Sequence, residues 1–138
     1  MVLAKNQLIV QIDSRTEGTS ILRANGDTLS KNLPLVVLVN SNSASASEIV
    51  SGALQEHKRA TLVGATTFGK ACVQTELPFG NGAAFMTTAN YLTANGTNIN
   101  AKGITPNVKI EMDIALELNQ AKDTQLQKAL ELAQSEAK

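Results

Sequence analysis

Aromatic side chains are scarce in this 138-residue chain: Phe68, Phe79, Phe85 and Tyr91 are the whole set, and there is no tryptophan. Four rings give little surface on which the bases of a single strand could stack. Charge of one sign is also missing. Twelve lysines and arginines balance twelve aspartates and glutamates, so nothing directs the chain toward nucleic acid or an anionic membrane. Cysteine occurs once, at Cys72, which excludes an internal disulfide. No apolar run approaches the ~18–20 residues of a membrane span, and Met1-Val2-Leu3-Ala4-Lys5 does not read as a signal peptide. What remains is the length of one domain, enough to bury a core.

The apolar residues that are present fall into short runs. Leu8–Ile12 reads as a strand by its β-branched content. The polar stretch that follows holds Ile21-Leu22, a candidate short strand before the turn residues Asn25-Gly26. Leu35–Val39 is an unbroken apolar run, the pattern of a strand covered on both faces. A helical pattern over about Ser45–His57 and a second apolar run, Ala60–Gly64, complete a βαβ unit with parallel strands. Ala71–Leu77 and Ala83–Thr88 flank Pro78-Phe79-Gly80-Asn81-Gly82 as a hairpin. Val108–Met112 alternates like an edge strand, and from Thr124 the apolar spacing is helical, with Asp123 or Thr124 as the cap.

The chemistry concentrates where the run Leu35–Val39 gives way to the helix. Ser45 stands at that strand-to-helix turn, beside free helix N–H groups able to hold a developing negative charge. Lys70 follows 25 residues later in Thr66-Thr67-Phe68-Gly69-Lys70. A serine and a lysine with no usable histidine suggest a Ser-Lys hydrolase. The lone histidine, His57, would lie ~18 Å along the helix from Ser45 and cannot take its proton. Each residue has a plainer role as well. Ser45-x-x-Glu48 fits a capping box, and a lysine after a glycine turn is ordinarily solvated. Cys72 has no marked partner base and is not read as a nucleophile.

The segment N-S-N-S-A-S-A-S-E-I-V-S-G-A-L-Q-E-H-K-R-A-T-L-V-G, then T-F-G-K-A-C-V-Q, resembles the catalytic region of the carboxyl-terminal processing, or tail-specific, proteases. The likeness continues through Y-L-T-A-N-G-T-N-I-N-A-K-G-I-T-P-N-V and covers about Leu35 to Val108. In the family's S-A-S-E block the nucleophile aligns with Ser45 rather than Ser43 or Ser47. The resemblance implies that Lys70 is the base, that Gln74 orients it, and that the Ala46 N–H is one oxyanion donor. Glu48 and Glu56 become supporting residues, Glu56 as an ion-pair partner of Lys58 or Arg59 at the helix end. To act as base Lys70 must be neutral, so its ordinary pKa near ~10.4 has to be lowered by burial or a nearby cation. Phe68, Val73 and Leu62-Val63 are the expected apolar surroundings. A regular strand would hold Lys70 and Gln74 ~13 Å apart, so their contact demands a bend, which Gly69 permits. Ala71 stands where the family usually has glycine.

The implied fold is α/β, a mixed sheet with flanking helices and a core like that of the crotonases and caseinolytic proteases. The family carries more chain before this region, including a PDZ module and an Asn- and Gly-rich loop that adds an oxyanion donor. No Gly-Gly loop precedes Leu35, so residues 1–138 are expected to form one partial catalytic domain, weakened by ~10²–10³ in rate if that donor is lost. The implied substrate is an unfolded protein or peptide, cut near its C-terminus, with no nucleic acid, cofactor or metal involved. A homodimer is expected, and the parent protein would act in the periplasm, outside the cell or in a lumen. The competing function is a non-catalytic ligand- or peptide-binding module on the same fold.

Overall fold

The computed structural model describes residues 2–26, 32–112 and 121–137, and these residues form seven strands and two helices. The strands divide into two sheets. Strands β1 (Leu8–Ser14), β2 (Gly18–Arg23), β5 (Cys72–Phe79) and β6 (Gly82–Leu92) make an antiparallel sheet in the order β2-β1-β6-β5. Strands β3 (Val36–Val39), β4 (Thr61–Gly64) and β7 (Val108–Lys109) make a parallel sheet in the order β3-β4-β7.

Helix α1 (Ala46–Glu56) is the crossover between β3 and β4, whose residues pair in register from Val36 opposite Thr61 to Val39 opposite Gly64. The βαβ unit read from the apolar runs is therefore present. Leu62 and Val63 are completely buried, as two covered faces require, but Leu38 in β3 is 44% exposed. The difference follows from position: β4 is central, whereas β3 has only β4 beside it among the described residues. Helix α2 (Thr124–Glu136) packs on β3 and β4, and α1 packs on β1 and β4. Asp123 caps α2 by accepting the Leu126 N–H at 2.8 Å.

The hairpin is tighter than the sequence suggested. Pro78 pairs with Ala83 and Phe79 with Gly82, leaving Gly80-Asn81 as the turn. Proline is tolerated because β5 is an edge strand and needs no N–H on its open side. Conversely β7 keeps only two of the residues expected there, and β2 is longer than its Ile21-Leu22 core.

Both sheets contribute to one apolar core: Val10 of β1, Val39 of β3, Leu62 of β4 and Tyr91 of β6 meet Ala71, Ile99 and Ile104 from the connecting segments. Each fully buried leucine, isoleucine or valine contributes ~1.5–3 kcal/mol. The loop before β5 is held at the start of α1, where the candidate site lies, and the loop after β6 at its other end.

Candidate active site

Asn40–Ala44 carry the chain from β3 into α1 through a hydrogen-bonded turn. The Ser43 N–H donates to the Asn40 carbonyl at 2.9 Å, the Asn40 N–H to Ser43 Oγ at 3.1 Å, and the Asn42 N–H to Asn40 Oδ1 at 2.8 Å. Ser45 then adopts φ 56° and ψ −116°, a region that side-chain-bearing residues rarely occupy. This sharp turn sets Ser45, half-buried, at the start of α1. The Ala46 N–H, expected as an oxyanion donor, gives no hydrogen bond among the described residues. It lies at a helix N-terminus, where an anion is favoured.

The capping-box pairing of Ser45 with Glu48 is present but lopsided. The Ser45 N–H donates to Glu48 Oε2 at 3.0 Å, whereas the Glu48 N–H finds the Ser45 carbonyl at 2.9 Å. The Ser45 side chain in turn faces the Glu48 N–H and completes the reciprocal pairing of the capping box, without reaching full hydrogen-bond geometry. Glu48 is completely buried and does far more than cap. Its Oε1 also accepts from Thr67 Oγ1 at 2.5 Å and from the Gly69 N–H at 2.7 Å, and its Oε2 from the Lys70 N–H at 2.9 Å. A buried carboxylate with these donors is compensated. It joins the serine turn to the lysine loop.

That loop is pinned further by the Phe68 N–H donating to the Ser43 carbonyl at 3.0 Å and by the Ile104 N–H donating to Thr67 Oγ1 at 2.7 Å. Gly69 has φ 87°, and a Cβ there would stand 2.7 Å from the Gly103 nitrogen. Only glycine fits this bend. Ala71, the departure from the family's glycine, is buried without difficulty. It takes the Tyr91 N–H on its carbonyl at 2.9 Å.

Ser45, Lys70 and Gln74 line one cleft of about 410 Å³ together with Ile49, Cys72, Val73, Phe85 and Tyr91. The strand register shifts between Val73 and Gln74, an irregularity of the kind that a contact between Lys70 and Gln74 would need. No hydrogen bond links Ser45 to Lys70, or Lys70 to Gln74, among the described residues. The Lys70 side chain is exposed, and so is Phe68 at 64%. The expected apolar enclosure of the lysine is therefore not formed, because Leu62 and Val63 are consumed by the core and the cleft is open above Lys70.

Among the described residues no ion pair is formed by Glu56 with Lys58 or Arg59. Its carboxylate accepts from Thr93 Oγ1 at 2.5 Å and from the Asn95 N–H at 2.7 Å, anchoring the loop after β6. His57 sits at the helix end, with Nε2 2.7 Å from the Leu8 carbonyl. Two residues of the site had no mark in the sequence. Thr67 bridges Glu48 and Ile104. Tyr91 lies in the cleft wall, and burial first, then the Glu48 carboxylate, pushes its pKa up to about 12, against a downward pull from the Ser45 hydroxyl. Strand alternation along β6 was the one available signal for Tyr91. Among the described residues no cluster of histidine, cysteine and carboxylate side chains is suited to a metal ion, and no helix is long and apolar enough to cross a membrane.

Comparison with known proteins places these features in context. Residues 1–110 match the model of peptidase family S41. A carboxy-terminal-processing protease of Bartonella bacilliformis is 55% identical over 82 residues, which cover 59% of this chain and 19% of that protein. A carboxyl-terminal-processing protease of Synechocystis sp. is 44% identical over 112 residues, 79% of this chain and 26% of its own length. The solved structure of a photosystem II D1 C-terminal processing protease superposes with a TM-score of 0.72 at 37% identity, covering 80% of this chain and 29% of that one. The chain thus spans between 19% and 26% of the length of these two curated relatives.

Proposed function

This chain belongs to peptidase family S41, and from that premise we propose that it carries the nucleophile and base of a serine endopeptidase of the carboxyl-terminal-processing type. The observation that carries the reading is the strained Ser45 elbow opening on the same cleft as Lys70 and Gln74. Ser45 Oγ attacks the carbonyl carbon of a peptide bond while Lys70 Nζ, in its neutral form, takes the hydroxyl proton. The negative charge that develops on the carbonyl oxygen is met by the Ala46 N–H and the α1 dipole. Collapse of the tetrahedral intermediate breaks the C–N bond, and Lys70 returns the proton to the departing amine. The ester on Ser45 is then hydrolysed by a water that Lys70 deprotonates, which releases the new carboxylate and restores the serine. Gln74 orients the lysine from β5. An unfolded protein or peptide, cut near its C-terminus, is the substrate this kinship supports, and a periplasmic, secreted or lumenal site of action accompanies it.

A second reading has its own observation. The exposed Lys70, with no hydrogen bond to Ser45, suits a fold that binds peptides without cutting them. A fluorophosphonate probe separates the two. Covalent labelling at Ser45 is expected in the unaltered protein and is expected to disappear in Ser45→Ala, in Lys70→Ala and in Lys70→Arg, since a guanidinium does not yield its proton. Labelling that persists in the Lys70 variants would remove the lysine from the mechanism. No labelling of the unaltered protein would favour the binding module.

A further inference from the structure

Lys70 leaves a short backbone bend that is tied on both sides. The peptide before it is held twice. The Lys70 N–H donates to Glu48 Oε2 at 2.9 Å, and the Gly69 carbonyl accepts the Ala101 N–H at 2.8 Å. The peptide after it is held by a side chain, with the Ala71 N–H donating to Asn100 Oδ1 at 3.3 Å. Ala71 is completely buried, so water does not stand in for that acceptor and the donor would be orphaned without it. The next anchor, the Ala71 carbonyl to the Tyr91 N–H, lies one peptide further on. The proposed mechanism gives Asn100 no part, and its residue is exposed, yet its side-chain carbonyl is turned inward to a buried donor.

The loop that carries Asn100 is itself braced. Ile99 is 4% exposed and packs in the core with Leu62 and Tyr91. The Ile99 carbonyl accepts the Lys102 N–H at 3.0 Å and the Gly103 N–H at 2.9 Å. Asn98 Oδ1 accepts the Asn100 N–H at 2.9 Å, a side-chain-closed turn that sets the Asn100 backbone. Ala101 has φ 57°, which a residue with a side chain adopts only where its surroundings impose it. Its N–H is the one bonded to Gly69. We propose that Asn100 is a positioning residue for Lys70: it fixes the peptide that follows the lysine and so sets the direction in which the lysine side chain leaves the backbone. The inference rests on reading Lys70 as the base. A side chain departs from the junction of two peptide planes. Glu48 and Ala101 fix the first plane, and Asn100 fixes the second. When the second plane can turn, the long lysine side chain magnifies the error at its amine.

Amide exchange at Ala71 tests the bond, and fluorophosphonate labelling of Ser45 tests its consequence. The Ala71 amide is expected to be protected in the unaltered protein and in Asn100→Asp, which keeps an acceptor at the same reach, and to lose protection in Asn100→Ala. Protection that survives in Asn100→Ala would overturn the proposal. Urea midpoints confirm that each variant is folded before labelling. Asn100→Ala is then expected to lower the maximal labelling rate by about ten- to a hundredfold, with the probe concentration giving half that rate unchanged. Asn100→Asp should recover most of the rate. Should Asn100→Ala fail to fold, Asn100→Ser, which keeps a shorter acceptor, should label at a rate between those of Asn100→Asp and Lys70→Ala. A merely structural asparagine would lower the urea midpoint and leave the maximal rate of the folded protein where it was. That result defeats the positioning role and leaves Ser45 and Lys70 in theirs. Absence of labelling in the unaltered protein, or undiminished labelling in Lys70→Ala, defeats the reading of Lys70 as base, and the positioning role with it.

Discussion

At Ser45 the backbone and the chemistry make opposite demands. The proposed reaction requires a hydroxyl for attack, yet φ 56° with ψ −116° is a conformation for glycine. The strain can be isolated by comparing two variants that both lack the hydroxyl. Ser45→Gly is expected to exceed Ser45→Ala in stability by about 1–2 kcal/mol, read from urea midpoints at equal slope. Equal midpoints would mean that the turn stores no strain. Ser45 stood out in the sequence through the resemblance of its S-A-S-E block to the family, since the spacing to Glu48 by itself reads as a capping box, and the structure contains that box. Tyr91 was not legible. It lies beyond the Ala83–Thr88 strand read from the sequence, and its burial depends on how the two sheets meet in one core, which no local pattern encodes.

Between elements, the decisive bond set is the one at Glu48. The carboxylate belongs to the first turn of α1, and its partners Thr67, Gly69 and Lys70 belong to the segment entering β5. Glu48→Ala would leave the Ser45, Gly69 and Lys70 N–H groups without their acceptor. We expect a loss of about 3–5 kcal/mol, measured by urea unfolding, and loss of probe labelling at Ser45. A cost below ~1 kcal/mol would show that water replaces the carboxylate freely. The sequence offered Glu48 only as a capping partner, since a helix start is a local matter, whereas a bond across some twenty residues is not. The same division runs through the fold. The βαβ unit was readable because β3 and β4 are short apolar runs separated by a helical period. The hairpin boundaries were misread because Pro78 looks like a loop residue until the strand is known to lie on an edge. The register shift at Val73-Gln74 leaves no trace in residue type at all.

For the molecule as a whole, pH and surface provide the tests. The unfolded chain ionises its tyrosine near ~10, whereas the folded protein keeps the Tyr91 proton to about 12. The folded state therefore holds more protons in that window. The stability this group confers is fully present below pH ~10 and is lost as pH rises toward about 12. Tyr91→Phe should flatten this part of the stability–pH curve, and an unchanged slope in urea titrations between pH ~9 and ~11 would contradict the assigned shift. The surface predicts association. Strand β3 has one open edge among the described residues, Leu38 is 44% exposed, and Phe79 and Phe85 on the hairpin are 81% and 66% exposed. Such edges and patches favour pairing with a second copy, so light scattering across a concentration series should show dimers. A constant monomer mass would exclude this.

The Glu48 clamp has a further consequence for a protein that would hydrolyse other proteins. The turn at Ser45 and the loop at Lys70 are not two parts that happen to meet. One buried carboxylate organises both, and releasing either leaves it short of donors in a dry interior. The site is thus an all-or-none property of the native state. A chain in which the Glu48 bonds are open is expected to lack the proposed pairing of Ser45 with Lys70. The proposed peptidase would carry within its own packing a safeguard against cleaving its neighbours, or itself, before folding is complete.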